Sequence, residues 1–552
     1  MKNPLKRLVG LIGLVGLVGP ATAQPIPQGY FRNPLDSDIG LSATFAEFRT
    51  GHFHAGLDMR TGGVTGKPVH AAADGYVCGV RISPWGGGKM LYIKHPNGYT
   101  SVYMHLERFA GEIERWVKDE QYKERAFAIV RDIPEGTLRV KKGQVVAYSG
   151  NTGGSAGPHL HFELRKDGHT INPLLFGLPY TDNTQPVIRG IRIYPVEGQP
   201  VDLGKEDLLS IAGPFYLGIY ATDAAEGSTL RNGVDKVELF VDGILSFQYV
   251  TIEFPLDSSR ISNALIDYPH YVKHREAYLL TRSLPGAQGG WIPVRHGDGI
   301  MRFSEGSTHN MRVRVTDIKG NTAERSFQVT ALATPATGAA PSVRDEKGTY
   351  AITHYKPLKF NGENIQIHFP AHTLYDNDRM RISTTPSSLY RSPECTVEPC
   401  SSSLPPHQWY TLSIKAPKPV EKAVIVRIDG KRPVAYKTTR EGDWYTASVR
   451  DFGRFAITVD EEAPRVAPVN FKSGKPLKTN TIRVKITDNL SGVDTYNCYL
   501  NGTWILAEYD GKSATLTIDA TGKTKSGVNK LRVEVVDAAG NVRDVTYIIR
   551  KT

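Results

Sequence analysis

His54, Asp58, His159 and His161 are the residue types from which metal-assisted hydrolysis is built. Catalytic zinc sites take three protein ligands from His, Asp, Glu or Cys and keep one coordination position for water. A His-x-x-x-Asp segment followed about a hundred residues later by His-Leu-His supplies such a set with one histidine to spare.

That chemistry constrains the elements that carry it. Zinc holds nitrogen and oxygen at roughly 2.0–2.2 Å, so its donor atoms crowd together. Residues four apart on an extended strand are separated by roughly 13 Å. His54 and Asp58 therefore share a metal only if the chain folds back between them. Gly56 lies in that interval and tolerates a sharp bend, while Gly51, Gly62 and Gly63 nearby argue against a helix. The spacing predicts a strand, a bend and a second strand. His159-Leu160-His161-Phe162-Glu163-Leu164 alternates instead: His159, His161 and Glu163 share one face, and Leu160, Phe162 and Leu164 face a core.

From about Phe45 to Pro179 a series of ordered motifs resembles the lysostaphin-type, or LytM-like, zinc endopeptidases that cut peptidoglycan peptides. It comprises Phe53-His54-Ala55-Gly56-Leu57-Asp58, Ala73-Asp74-Gly75-Tyr76-Val77, Tyr103-Met104-His105-Leu106, Ser149-Gly150-Asn151-Thr152-Gly153 and Gly157-Pro158-His159-Leu160-His161-Phe162-Glu163. The resemblance implies an antiparallel β-sheet catalytic domain with one Zn2+ held by His54, Asp58 and His161. It also implies that His105 and His159 are the catalytic histidines. Two departures stand out. Ser155-Ala156-Gly157-Pro158 replaces the family's Ser-Thr-Gly-Pro, and an insertion separates Leu106 from Val140. Ile113, Trp116 and Val117 recur there at helical spacing, predicting a helical insertion over about 110–135. It either narrows the groove or packs on the domain as a solvated decoration.

The remaining polar residues of this region are read more plainly. His52, His70, His95 and His169 are surface or loop histidines and Glu163 is an outward strand carboxylate; Tyr103, on the face of His105 if extended, either shapes the cleft or, as strand aromatics more often do, serves as packing.

The rest of the chain fits an exported enzyme. Lys2, Lys6 and Arg7 precede an apolar stretch, Leu8 to Val18, and Ala21-Thr22-Ala23 completes a signal peptide over 1–23. The expected location is the periplasm or outside the cell, at the wall, with no later segment able to span a membrane. Cleavage takes the net charge from +11 to +8, which favours an anionic wall. The expected partners are peptidoglycan peptides, not nucleic acid.

The fold class expected is all-β and multidomain. The peptidase domain occupies 24–180 and about three β-sandwich domains follow: 181–332, 343–462 and 463–552, with an Ala/Thr/Pro-rich linker at 333–342. The first and last carry an internal repeat. Thr222-Asp223 recurs as Thr487-Asp488, and Thr316-Asp317-Ile318-Lys319-Gly320-Asn321 as Val536-Asp537-Ala538-Ala539-Gly540-Asn541. These segments resemble immunoglobulin-like or fibronectin-like sandwiches, available to bind glycan or a protein partner, or to serve as spacers. Asp488 and Asp494 read as turn formers rather than a calcium site. Cys395 and Cys400 are close enough in sequence to bridge, whereas Cys78 and Cys498 look like isolated buried thiols. The alternative to an enzyme is a non-catalytic LytM-like module that binds wall material or activates another hydrolase. Such members typically lack ligands, and here all five site residues are present.

Overall fold

The structure is a computed structural model that describes residues 25–224, 231–287, 294–295, 297–333 and 348–551. The signal-peptide expectation and, apart from Ala333, the linker expectation lie outside the described residues. Strands dominate, in the all-β arrangement that the alternating patterns predict.

The N-terminal region is organised on one antiparallel sheet. Its order is Leu41–Ala43, Leu57–Arg60, His159–Lys166, Thr100–Met104, Lys89–Lys94, Gly75–Ile82 and Ile129–Asp132. The strand His159–Lys166 is thus central, where the two halves of the expected site must meet. Leu160, Phe162 and Leu164 are fully buried on its core face. Tyr103 packs on Phe162 with ring centroids 5.4 Å apart, and its hydroxyl accepts from the Ala72 amide, so it serves as packing.

The insertion divides in two. Helix Gly111–Glu124 carries Glu112 and Glu114 in its first turn, where the helix dipole favours anions, and buries Ile113, Val117 and Gln121. The chain then returns as strand Ile129–Asp132, which pairs with Gly75–Ile82 and extends the sheet. Helical spacing located the first half; the second is a short strand whose partner is remote in sequence.

The sheet does not end at the peptidase region. Strand His169–Ile171 pairs with Glu253–Pro255 of the following sandwich, and Phe45 and Phe53 each lie 5.1 Å from Phe254. One apolar cluster therefore runs through both. Residues 349–459 form a six-stranded and a five-stranded sheet around a separate core, and residues 465–551 form two four-stranded sheets around a third. The repeat is structural as well. Lys236–Val241, Thr308–Thr316 and Thr322–Leu332 pair in succession, as do Val493–Leu500, Gly527–Asp537 and Val542–Lys551. Gly320 (φ 91°) and Gly540 (φ 85°) occupy matching left-handed turn positions.

The last sandwich returns to the peptidase region. The Lys89 ammonium, almost fully buried, meets Glu508 at 2.7 Å; Lys512 donates to the carbonyls of Asn151 and Ser155; Trp504 stands edge-on to Tyr122 of the inserted helix.

Several single-residue expectations change. His70 and His95 are buried rather than exposed. Each ring is tied at both nitrogens, His70 to Gly143 O and Asp36, His95 to Asp74 O and Ser101. All four cysteines are free thiols: Cys395 and Cys498 are buried, Cys78 is half-buried and Cys400 exposed. Cys395 sits near the start of strand Glu394–Pro399 and Cys400 just beyond its end. Five extended residues span roughly 16 Å, far beyond disulfide reach. Among the described residues no helix is long and apolar enough to cross a membrane.

Candidate active site

The two halves of the site meet across one strand pair. Asp58 lies directly opposite His161 in the antiparallel ladder, so both side chains project to the same face. His54 precedes the second strand, on the bend between His52–Phe53 and Leu57–Arg60. Gly56 is needed there for close approach: a Cβ on it would lie 2.3 Å from the Phe162 carbonyl oxygen.

The donor atoms converge. His54 Nε2 lies 2.9 Å from Asp58 Oδ1, His161 Nδ1 lies 2.8 Å from the same oxygen, and the two nitrogens are 3.0 Å apart. All three residues are buried. The outer atom of each ring shows which nitrogen carries a hydrogen. His54 Nδ1 lies 2.6 Å from Thr44 O, which can only accept. His161 Nε2 lies 2.8 Å from the Glu163 carboxylate. Both outer nitrogens therefore donate, and both inner nitrogens present lone pairs to each other and to an anionic oxygen. Three converging acceptors require a cation between them. That is the fit expected of a metal site, with Thr44 O and Glu163 fixing the tautomers.

The electrostatics agree. Burial alone would lower the pKa of His161, but hydrogen bonds and charge from Asp58 and Glu163 override it and raise the ring to about 9. Burial would raise Asp58, yet the His54 charge and hydrogen bonds from His159, His161 and His54 hold it far below the carboxylate range. Without a metal, a proton takes the place of the cation. Arg49 reaches Asp58 Oδ2 at 3.2 Å from the outer side.

His105 and His159 complete the cluster. Their ring centroids are 4.7 Å apart, and His105 is 6.1 Å from His161. His105 follows the end of strand Thr100–Met104 with φ at 61°, a conformation costly for a residue with a Cβ and concentrated at functional sites. Its Nδ1 donates to Thr152 O at 2.8 Å, and His159 Nδ1 donates to Gly157 O at 2.8 Å. Each ring thus keeps Nε2 for other work; that of His159 lies 3.3 Å from Asp58 Oδ1. Burial, followed by the charges of His161 and His159, lowers His105 to about 4, so it is neutral at pH 7.

The structure brings together all five residues singled out in the sequence. It adds Glu163, which is 1% exposed and ion-paired to Arg165, not outward-facing. Two-residue spacing from His161 was the available signal. Nothing local marks the carbonyls of Thr44 and Thr152.

Comparison with known proteins places this region. The peptidase family M23 profile matches residues 52–122 and 133–173, and a Zu5-like domain profile matches 349–460. An uncharacterized metalloprotease of Haemophilus influenzae is 33% identical over 28% of this chain and 29% of its own length. The DD-carboxypeptidase/endopeptidase Mpg of Neisseria meningitidis is 31% identical over 25% of each chain. The lipoprotein NlpD of Yersinia enterocolitica is 32% identical over 21% of this chain and 93% of its own. The chain thus spans less than a third of the length of the first two relatives and nearly all of the third. Its N-terminal region, with the histidine–aspartate cluster at its centre, makes the chain a member of peptidase family M23.

Proposed function

We propose that this protein is a zinc-dependent endopeptidase that hydrolyses peptide bonds in peptidoglycan stems or cross-links. The observation that carries the reading is the convergence of His54 Nε2, Asp58 Oδ1 and His161 Nδ1 within 3.0 Å of one another, each with its outer atoms already committed. The relatives named as a metalloprotease and as a DD-carboxypeptidase/endopeptidase support the reaction and the substrate class.

His54, Asp58 and His161 would hold the metal. Bound there, zinc supplies a Lewis acid that polarises the scissile carbonyl and acidifies water. His105, kept neutral by its buried surroundings, offers Nε2 as an acceptor for the proton of the attacking water. His159, its Nδ1 committed to Gly157 O, keeps its own Nε2 beside the metal residues, 3.3 Å from Asp58 Oδ1, and is placed to hold a proton for the developing oxyanion or the leaving amine. Glu163 and Thr44 O keep the ligand rings from turning. The basic–apolar–small pattern of the first 23 residues supports export to the compartment where this substrate lies.

Purified peptidoglycan is the test. Zinc-loaded protein should release fragments with new amino and carboxyl termini identifiable by mass spectrometry, and a chelator should stop release reversibly. A zinc-loaded protein that releases nothing would instead assign it the role of a wall-binding activator.

A further inference from the structure

The two repeated sandwiches each carry a trio of aspartates at the same place. In the first, Asp182 lies on the segment arriving from the peptidase region, Asp223 follows strand Phe215–Thr222, and Asp317 follows strand Thr308–Thr316. In the second, Asp460 lies on the segment arriving from the region before it, Asp488 follows strand Thr481–Thr487, and Asp537 ends strand Gly527–Asp537. Within each trio, one carboxylate oxygen per residue lies within 4.8 Å of the others. The asparagine of the repeated turn pins the arriving segment in both: Asn321 Nδ2 donates to Asp182 O at 3.2 Å and Asn541 Nδ2 to Asp460 O at 2.7 Å.

Five of these six aspartates are at least 94% buried, and only Asp488 is half-buried. Gathered carboxylates are costly to bury unless something compensates the charge. Hydrogen bonds satisfy part of each trio: Asp317 accepts from the amides of Lys319 and Asn321, and Tyr180 donates to Asp182. Among the described residues no lysine, arginine or histidine forms an ion pair with any of the six. Lys422, beside the second trio, donates to Asn541 Oδ1 instead.

Several buried polar atoms are left over. Oδ1 of Asp223 and Oδ1 of Asp460 have no hydrogen-bond partner, in residues 6% and 1% exposed. Asn232 is 2% exposed, and neither its Oδ1 nor its Nδ2 has a partner. Asn232 and Asp223 exchange both backbone hydrogen bonds, at 2.8 and 2.9 Å, so they stand directly opposite and project their side chains to the same face. A buried amide oxygen and a buried carboxylate oxygen, both without a partner, thus lie on one face and are available to a cation. With no histidine or cysteine in either trio, the donor set suits a hard cation of calcium type and not zinc.

We propose that each repeated sandwich binds one calcium ion, the first through Asp182, Asp223 and Asp317 and the second through Asp460, Asp488 and Asp537, fastening the arriving segment to the sandwich. Burial, reinforced by Asp182 and Asp317, pushes Asp223 up to about 7, the cost that a cation would remove. The first ion would tie the peptidase region to its neighbour. The second would steady the sandwich whose Lys512 touches the loop before His159. Calcium would thus set domain orientation without taking part in hydrolysis.

The test uses the full-length, zinc-loaded protein freed of calcium, with calcium titrated by calorimetry. Two equivalents are expected, with Kd on the order of 10⁻³ M or tighter. Asp223→Asn and Asp488→Asn should each lose one equivalent, and the double variant both. Absence of binding at 10-fold above that concentration, or a stoichiometry these substitutions leave unchanged, would overturn the proposal. If a variant does not fold, the unaltered protein decides. Calcium, and not magnesium at equal ionic strength, should raise its melting temperature by about 4 °C, and no rise overturns the proposal equally.

Discussion

Glu163 gives the sharpest test of how the site is held. Its carboxylate accepts from His161 Nε2 at 2.8 Å, pairs with Arg165 and is 1% exposed. Glu163→Gln keeps the shape and an acceptor oxygen but removes the charge. Two effects then act together: His161 becomes a weaker donor to the metal, and the Arg165 cation, no longer opposed, repels the dication. Loss of an outer-shell partner typically costs 10- to 100-fold in metal affinity, or about 1.4–2.7 kcal/mol. The unopposed arginine places the expectation near the upper end. Competition against a chelator of known zinc affinity measures it directly. Turnover at saturating zinc should fall less than about 10-fold, because neither His105 nor His159 is touched. Zinc affinity within a factor of two of the unaltered protein would refute the idea that Glu163 positions His161. So would an intact affinity accompanied by abolished turnover.

The other predictions concern different parts of the molecule. His105→Ala and His159→Ala should each keep a full equivalent of zinc by elemental analysis while peptidoglycan digestion falls by about 10²–10⁴-fold; zinc loss would instead make the residue a ligand. Gly153→Ala adds a Cβ 2.3 Å from the Gly88 amide nitrogen at a φ of 70°, which should destabilise by at least about 1–3 kcal/mol and loosen the Thr152 carbonyl that orients His105. Thermal melting and turnover would both show it, and an unchanged melting temperature would argue against that loop geometry. In calcium-free buffer, Asp223, raised to about 7 from 3.8, has a folded pKa above its unfolded one. Its contribution is therefore fully present below pH 4 and lost as pH climbs through 7. The loss is at most about 4 kcal/mol, shared with the neighbouring carboxylates Asp182, Asp235 and Asp317. Asp223→Asn should flatten that decline in melting temperature, and a flat profile in the unaltered protein would contradict it.

The readable parts of the sequence were those whose physics is local. Alternation in His159–Leu164 gives a strand, a face and a buried core without reference to anything distant, and the metal distance alone forces a bend between His54 and Asp58. Long-range supports leave no such trace. The carbonyls of Thr44 and Thr152 act through the backbone, so residue type carries no information about them. Strand Ile129–Asp132 belongs to the sheet because Gly75–Ile82 offers it an edge, which helical spacing in the preceding segment could not announce. Two-residue spacing puts Glu163 on the face of His161, but its burial leaves no local trace, since an isolated carboxylate on a strand is ordinarily solvated. The presence of Arg165 two residues on was a usable clue, because a cation on the same face lowers the cost of burying it.

The repeated aspartates extend the same reasoning. In either copy alone, Asp-x-x-Gly-Asn is sufficiently explained as turn chemistry, and Gly320 and Gly540 do adopt the left-handed conformations that reading needs. Two copies also align Asp223 with Asp488, and Asp488 accepts from the amides of Leu490 and Gly492 in a turn of its own. Asp494, beside Asp488 in sequence, instead pairs with Lys437 at 2.8 Å and takes no part in the cluster. The arriving aspartates, Asp182 and Asp460, fall outside the motif and are joined to it only by tertiary structure. Turns account for Asp182 and Asp317 in the first trio and for Asp488 and Asp537 in the second, each accepting from backbone amides two to four residues on; they do not account for three carboxylates gathered together that, among the described residues, form no ion pair. That excess of negative charge is the quantity any competing explanation must neutralise.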